Sequence, residues 1–294
     1  MNEGRSVWRG RTALVTGCTG FLGEAVTREL LQRGATVVAY LEKRFASPVL
    51  FQLNHGGQLR PVYGRIEDTC RLYSAIAIHE ASVVFNLAEH TGMPPSASSH
   101  REDDRDDCGV AAVLRAAALR HSRLPVIAVR PTEHVRLMGA EPGGTTPHGI
   151  ARFGELFGEG DGRLSRTVPR LLTALLSGER VPVNGDMQRD YVYVRDAARA
   201  CLAVAEAIGQ GETRVDAAFR SGWQFCEADV VKLLTSSLAG SDPQCMQAPV
   251  NNPFGWQPAF ALAEALHRTI EWHRELATGS LNPSPPKHTL RKAA

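Results

Sequence analysis

The sequence predicts an α/β fold: a doubly wound parallel sheet with helices on both faces, followed by a smaller C-terminal lobe. Three observations carry this. Short apolar runs alternate with helical patterns from Thr12 onward, the order that builds parallel sheets. A glycine-rich turn, Gly17-Cys18-Thr19-Gly20-Phe21-Leu22-Gly23, joins the first apolar run to the first helix. The 294-residue length suffices for one large domain or two modest ones with no disulfide or metal to hold them.

Taken in order, Thr12–Thr16 is a short apolar run suited to a strand buried on both faces. It enters the glycine turn, and a helix follows with Ala25, Val26, Leu30 and Leu31 on one side and a stop at Arg33-Gly34. Thr36–Leu41 reads as the second strand, which completes a right-handed strand–helix–strand unit. Leu59–Tyr63 is a third strand, Asp68–His79 a helix, Ser82–Leu87 a fourth strand, Cys108–Arg120 a helix and Pro125–Arg130 a fifth strand. A sixth-strand block begins near His148, and helices are expected at Thr167–Ser177, Ala197–Ile208, Glu227–Leu238 and Leu262–Leu276. The segment Thr278–Ala294, with three prolines and a basic end, is expected to be a disordered tail.

Composition excludes several classes. The net charge of +2 gives no bulk field for nucleic acid or a membrane surface, so neither is expected as a partner. Six cysteines show no CxxC and no zinc-ligand spacing. The first ten residues hold no apolar signal core, and no apolar run approaches the ~20 residues of a membrane span. The expectation is a cytoplasmic protein with reduced thiols and no metal. Only four of the 33 basic residues are lysine (Lys43, Lys232, Lys287 and Lys292), a bias expected of a GC-rich genome.

The glycine turn carries chemistry. Glycines let the backbone bend sharply and approach a diphosphate, which the free N–H groups and positive dipole of the helix N-terminus then hold. Thr16-Gly17-Cys18-Thr19-Gly20-Phe21-Leu22-Gly23 resembles the TGxxGFxG loop of the extended short-chain dehydrogenases/reductases, the group containing nucleotide-sugar epimerases and dehydratases. Val83-Val84-Phe85-Asn86-Leu87-Ala88-Glu89 is similar to that family's fourth strand and its HLAA-like segment. Arg152 to Asp161 resembles RFGNVYGPGD, Arg189 to Asp196 resembles RDYVYVxD, and Gly255-Trp256-Gln257-Pro258 resembles the C-terminal GWxP.

The resemblance implies a Rossmann domain over residues 1–155, with 185–210 returning to it, a substrate-binding lobe from 156–184 and 211–277, and the tail 278–294. It implies a nicotinamide cofactor held by Gly17, Thr19, Gly20, Phe21, Leu22 and Gly23, with Leu87, Ala88 and Glu89 along the nicotinamide side. Arg65 and Ile66 would flank the adenine, Arg65 standing where the family often has an acid. An acid at the end of the second strand favours NAD, and a basic group there accommodates the 2′-phosphate of NADP. The aligned position is Leu41, with Glu42, Lys43 and Arg44 following. NADPH/NADP is therefore expected, with Lys43 or Arg44 on the 2′-phosphate. Ser96, His90 and Met93 would line the substrate pocket. Arg189 lies where family members bind sugar-nucleotide phosphates; the alternative for it is an ion pair with Asp190 or Asp196.

One family feature is missing. Its chemistry uses Tyr-x-x-x-Lys, spaced to share one helix face, the ammonium lowering the phenol pKa from about 10. Here tyrosines stand at 40, 63, 73, 191 and 193, followed four residues later by Arg44, Glu67, Ala77, Arg195 and Ala197, and no lysine lies between Lys43 and Lys232. Only Pro131–Pro147, rich in proline and glycine, joins the fifth strand to the sixth, so the helix that bears the pair is expected to be deleted. The family's active-site Ser/Thr maps onto Thr132.

Three functions follow. The first is a reductase whose substrate supplies its own proton from a phenol beside the ketone, as an aromatic polyketide could. The missing pair and the composition resemble the angucyclinone ketoreductases of antibiotic pathways, and the partner is then a small, polycyclic aromatic molecule. The second is a nucleotide-sugar enzyme with a substitute acid from His134, Glu133, Glu89 or His90. The third is a non-catalytic NADP(H)-binding protein. With the helix gone that the family uses in dimer contacts, monomer and dimer are both open.

Overall fold

The computed structural model describes residues 6–42, 56–88, 112–113, 115–120, 123–131, 146–181, 183, 186–243 and 245–279. Seven strands form a parallel sheet: β1 (Thr12–Thr16), β2 (Thr36–Leu41), β3 (Leu59–Tyr63), β4 (Val83–Asn86), β5 (Val126–Pro131), β6 (His148–Phe153) and β9 (Arg214–Ala218). Their order is β3-β2-β1-β4-β5-β6-β9. A second sheet in the C-terminal part has the order β10-β8-β7, built from β7 (Glu155–Phe157), β8 (Arg189–Tyr193) and β10 (Gln224–Phe225).

The helices are α1 (Phe21–Gln32), α2 (Thr69–Ile78), α3 (Thr167–Leu176), α4 (Val194–Gly209), α5 (Glu227–Leu238) and α6 (Leu262–Ala277), with residues 112–113 and 115–120 also helical. The fold is the doubly wound α/β arrangement that the sequence predicts.

The alternation of strand side chains divides the large sheet into two faces. Ala13, Val15, Val37, Ala39, Phe85, Ile127, Ala151 and Phe153 pack with Val26 and Leu30 of α1 and with Cys201, Val204 and Ile208 of α4. Leu14, Val38, Tyr40, Val84 and Val126 face the other way, onto Leu72 and Ile76 of α2 and onto Val113, Ala116 and Ala117. The approach of α4 is tight: a Cβ on Gly149 would lie 2.3 Å from Val204 Cγ1. A third apolar cluster joins Phe157, Leu171, Tyr191, Trp223, Leu234 and Ile270 in the C-terminal lobe.

Asp196, in the first turn of α4, ties this lobe down. It is 1% exposed, and its Oδ1 accepts the Ala259 N–H at 2.8 Å. Close by in sequence, Trp256 packs edge-on against Phe219, with ring centroids 5.4 Å apart.

The structure differs from the sequence reading where apolar periodicity is weak. α4 starts at Val194, three residues before the expected Ala197. Arg195 and Asp196 hide the pattern there, although an acid in the first turn suits the helix dipole. The short β7 and β10, the charged-start β8 and the alternating β9 are additional strands. Most of the expected tail lies outside the described residues.

Candidate active site

Strand order reverses between β1 and β4, so their carboxyl ends open the crevice in which doubly wound sheets bind ligands. The glycine turn lies there. Gly17 has φ +67°, and a Cβ on it would come within 2.5 Å of Ala88 N and of the Leu87 carbonyl group. The turn thus rests on the end of β4. A Cβ on Gly23 would lie 1.9 Å from Gly17 O, so α1 rests on the turn in the same way.

Gly20 is different. Its Cβ would meet only Gly17 O, at 3.2 Å, so the protein leaves space above it. Gly20 offers no side-chain cap to α1, and the Glu24 N–H is bonded to the Gly20 carbonyl at 2.8 Å. Among the described residues no acceptor takes the N–H groups of Phe21 or Leu22. A glycine-walled helix N-terminus with unclaimed donors fits the diphosphate of a dinucleotide. Thr19 and Leu22 are partly buried beside it, while Cys18 is fully buried, its thiol pushed up to about 12 by desolvation.

A polar relay locks the two strand ends. The Ala88 N–H donates to Thr16 Oγ1 at 3.4 Å, and that hydroxyl donates to Asn86 Oδ1 at 2.6 Å. Leu87 packs against the core, and it and Ala88 are partly buried at the crevice floor.

At the end of β2, Gly64 N–H donates to Leu41 O (2.9 Å) and the Tyr40 hydroxyl to Arg65 O (3.0 Å). These bonds bring Arg65 and Ile66 alongside the end of β2. Arg65 is three-quarters exposed and pairs with Glu67 at 3.4 Å, while Ile66 packs on the core. Lys43, Arg44, Glu89, His90, Met93, Ser96, Thr132, Glu133 and His134 lie outside the described residues.

Arg189 is placed differently from either expected ion pair. It pairs with Glu155 on β7, the neighbouring strand of the small sheet. Asp190 instead accepts the Ser221 N–H (2.9 Å) and hydroxyl, and Asp196 accepts the Ala259 N–H. Alternation explains this: Asp190 points to the opposite face of β8 from Arg189. Glu155 stands where the resembled RFGNVYGPGD segment has Asn.

All five tyrosines are described. Burial pushes the hydroxyls of Tyr40 and Tyr191 up to about 12 and that of Tyr193 higher still. Tyr63 is on β3 and Tyr73 on α2, both at the surface. Among the described residues no cluster of His, Cys, Asp and Glu could hold a metal ion, and no helix is long and apolar enough to cross a membrane.

Sequence reasoning passed over Asn86 and Arg130, both at carboxyl ends of central strands. The signal for both was available: each is a polar residue ending an apolar run in a strand buried on both faces.

Known proteins share this architecture. The profile of the NAD dependent epimerase/dehydratase family matches residues 13–128 and 139–216. A dTDP-glucose 4,6-dehydratase of Streptomyces antibioticus is 27% identical, over 89% of this chain and 92% of its own length. A dTDP-4-dehydro-6-deoxy-D-allose reductase of Streptomyces sp is 26% identical, over 68% of this chain and 74% of its own. The structure of the Bordetella bronchiseptica enzyme WbmH in complex with NAD+ superimposes with a TM-score of 0.70 at 18% identity, covering 91% of this chain and 99% of that one. A profile match over this much of the sequence decides the matter: the chain belongs to the NAD dependent epimerase/dehydratase family, and with it to the nicotinamide-dependent enzymes.

Proposed function

We propose that the protein is an NADPH-dependent ketoreductase acting on a hydroxylated polycyclic aromatic ketone, of the kind made in aromatic-polyketide antibiotic pathways. The observation that carries the reading is the missing acid. The chain contains no Tyr-x-x-x-Lys, and its three core tyrosines have phenols raised above their ordinary range.

When bound, the reduced nicotinamide supplies hydride to a carbonyl carbon. The Phe21 and Leu22 N–H groups would hold its diphosphate. Leu87, Ala88 and Glu89 would back the nicotinamide, and Arg65, Ile66, Lys43 and Arg44 would receive the adenosine end. Thr132 would orient the carbonyl, with His90, Met93, Ser96 and His134 around the substrate. The proton for the alkoxide comes from a substrate hydroxyl, since a phenol of pKa about 10 is a far stronger acid than an alcohol.

The second reading is a nucleotide-sugar epimerase or dehydratase with a substitute acid. It is favoured by the names of the relatives above. The Glu155–Arg189 pair weighs against it, because a carboxylate beside that guanidinium opposes a sugar diphosphate.

One set of assays separates the two. The purified protein is examined for bound dinucleotide, titrated with NADPH and NADH, and offered hydroxylated aromatic ketones and dTDP- and UDP-sugars. Exchangeable NADPH with ketone turnover is expected. Tight, non-exchanging NAD with sugar-nucleotide turnover would replace the proposal by the second reading.

A further inference from the structure

The carboxyl edge of the large sheet carries charge on one face only. Alternation places Thr16, Asn86, Arg130, Arg152 and Asp216 on the face opposite α1 and α4, below them the apolar Leu14, Val84, Val126 and Ile150. Arg130 and Arg152 are direct partners in the β5–β6 register. Like charges directly opposite one another are unfavourable.

Arg152 is answered. Its Nε and Nη2 reach the two oxygens of Asp216 at 2.6 and 2.9 Å, a bidentate pair buried around the arginine. Arg130 is not. Its hydrogen bond among the described residues is local, from Nη1 to the Val129 carbonyl at 3.2 Å, and no described carboxylate pairs with it. A partly buried guanidinium thus stands beside a second one, and the nearby described carboxylate, Asp216 on β9, pairs with the second.

Asn86 supplies a second donor beside it. In the register Asn86 faces Ala128, so Arg130 lies two residues, about 6.6 Å, farther along the neighbouring strand. The relay fixes the amide's polarity. Because Thr16 Oγ1 accepts from Ala88 N–H, its own hydrogen goes to Asn86 Oδ1, and the amide hydrogens point away from Thr16. No acceptor among the described residues takes them, and the nitrogen is not sealed from solvent.

We propose that Arg130, with the Asn86 amide beside it, is an oxyanion subsite that holds the phenolate left when the substrate's hydroxyl gives up its proton. This rests on the reductase reading above. The step balances: the phenol O–H bond breaks, its proton goes to the alkoxide oxygen, and its electron pair stays on the phenol oxygen, which the guanidinium faces. Solvent reprotonates the phenolate as product leaves, and neither oxidant nor reductant enters this step.

The test uses 1,8-dihydroxyanthraquinone, whose phenolate absorbs at longer wavelength than its phenol. The probe is titrated from pH 6 to 10 with the full-length protein, with Arg130→Gln and with Arg130→Lys, each first checked by thermal melting. Bound to the wild type, its apparent pKa is expected to fall by about 1–3. Arg130→Gln should abolish that fall, Arg130→Lys should keep most of it, and ketone turnover should drop about a hundredfold in Arg130→Gln.

A probe that stays unbound, or binds with its free pKa, overturns the subsite. So does ketone turnover that Arg130→Gln leaves unchanged, in which case the reductase reading survives alone. An Arg130-dependent shift without turnover of any ketone keeps the subsite as an oxyanion site and rejects the reductase. If dTDP displaces the probe in the wild type and not in Arg130→Gln, the guanidinium belongs to a diphosphate, and the phenolate assignment falls.

Discussion

Asp196 and His273 should pull stability in opposite directions as the solution is acidified. Asp196 is 1% exposed, its Oδ2 has no partner, and desolvation raises its pKa from 3.8 to about 6. His273 is 3% exposed, its Nε2 has no partner, and desolvation lowers its pKa from 6.5 to about 4.

For the aspartate the folded state binds the proton more tightly. Its penalty is therefore present in full above about pH 6 and is relieved as pH falls toward 3.8. At 1.36 kcal/mol per pH unit this amounts to about 3 kcal/mol. For the histidine the unfolded state binds the proton more tightly. Its contribution is present above pH 6.5 and is lost as pH falls through 4, again about 3 kcal/mol. The two nearly cancel, so together they should leave wild-type stability almost flat from pH 7 to 4.

Asp196→Asn breaks the compensation. The amide oxygen can still accept the Ala259 N–H, and no charge is buried. Urea unfolding at half-unit steps from pH 8 to 4 should show the variant gaining on the wild type at pH 8. That advantage should shrink by about 3 kcal/mol by pH 4. A stability difference between the two proteins that is independent of pH would refute the argument.

Other outcomes follow from the same geometry. Gly20→Ala should melt within a few degrees of the wild type, since its Cβ meets only one atom at 3.2 Å, yet bind NADPH at least tenfold more weakly by calorimetry. Gly23→Ala, with its Cβ 1.9 Å from Gly17 O, should lose about 1–3 kcal/mol in urea unfolding even without ligand. A thiol reagent applied to the native protein should label the exposed Cys70 and leave Cys18 and Cys201 untouched until unfolding, as mass spectrometry of the digested protein would show. Arg189→Ala should leave ketone reduction within about twofold in steady-state assays, because Glu155 already occupies its guanidinium.

Much of the large sheet was legible because its strands are buried on both faces and read as unbroken apolar runs: TALVT, TVVAYL and VVFN stand where β1, β2 and β4 form. The glycine turn was legible because only glycine fits against Leu87 and Ala88 at Gly17. The small sheet was harder. A two-residue strand such as β10 has no period to detect, and β8 begins on the charged Arg189-Asp190. Ion-pair partners were the least legible. Arg189 was read with its sequence neighbours, whereas its side chain pairs with Glu155, 34 residues away on the neighbouring strand. Arg130 escaped notice for a related reason: that Asp216 pairs with Arg152 and not with Arg130 is decided only by the register.

The position of α4 also limits how this protein can be dissected. Ala197, Ala198, Cys201 and Val204 share a core with β1, β2 and β4, although nearly all of the C-terminal lobe's own sequence elements flank them along the chain. At the same time Asp196, one turn away, grips the strap at Ala259 that leads into α6. A chain truncated before residue 185 would lack the helix that closes one face of its sheet and would expose that core to water. The N-terminal half is thus unavailable as a stand-alone module, and proteolytic nicking within α4 should melt the large sheet and the C-terminal helices in one cooperative transition.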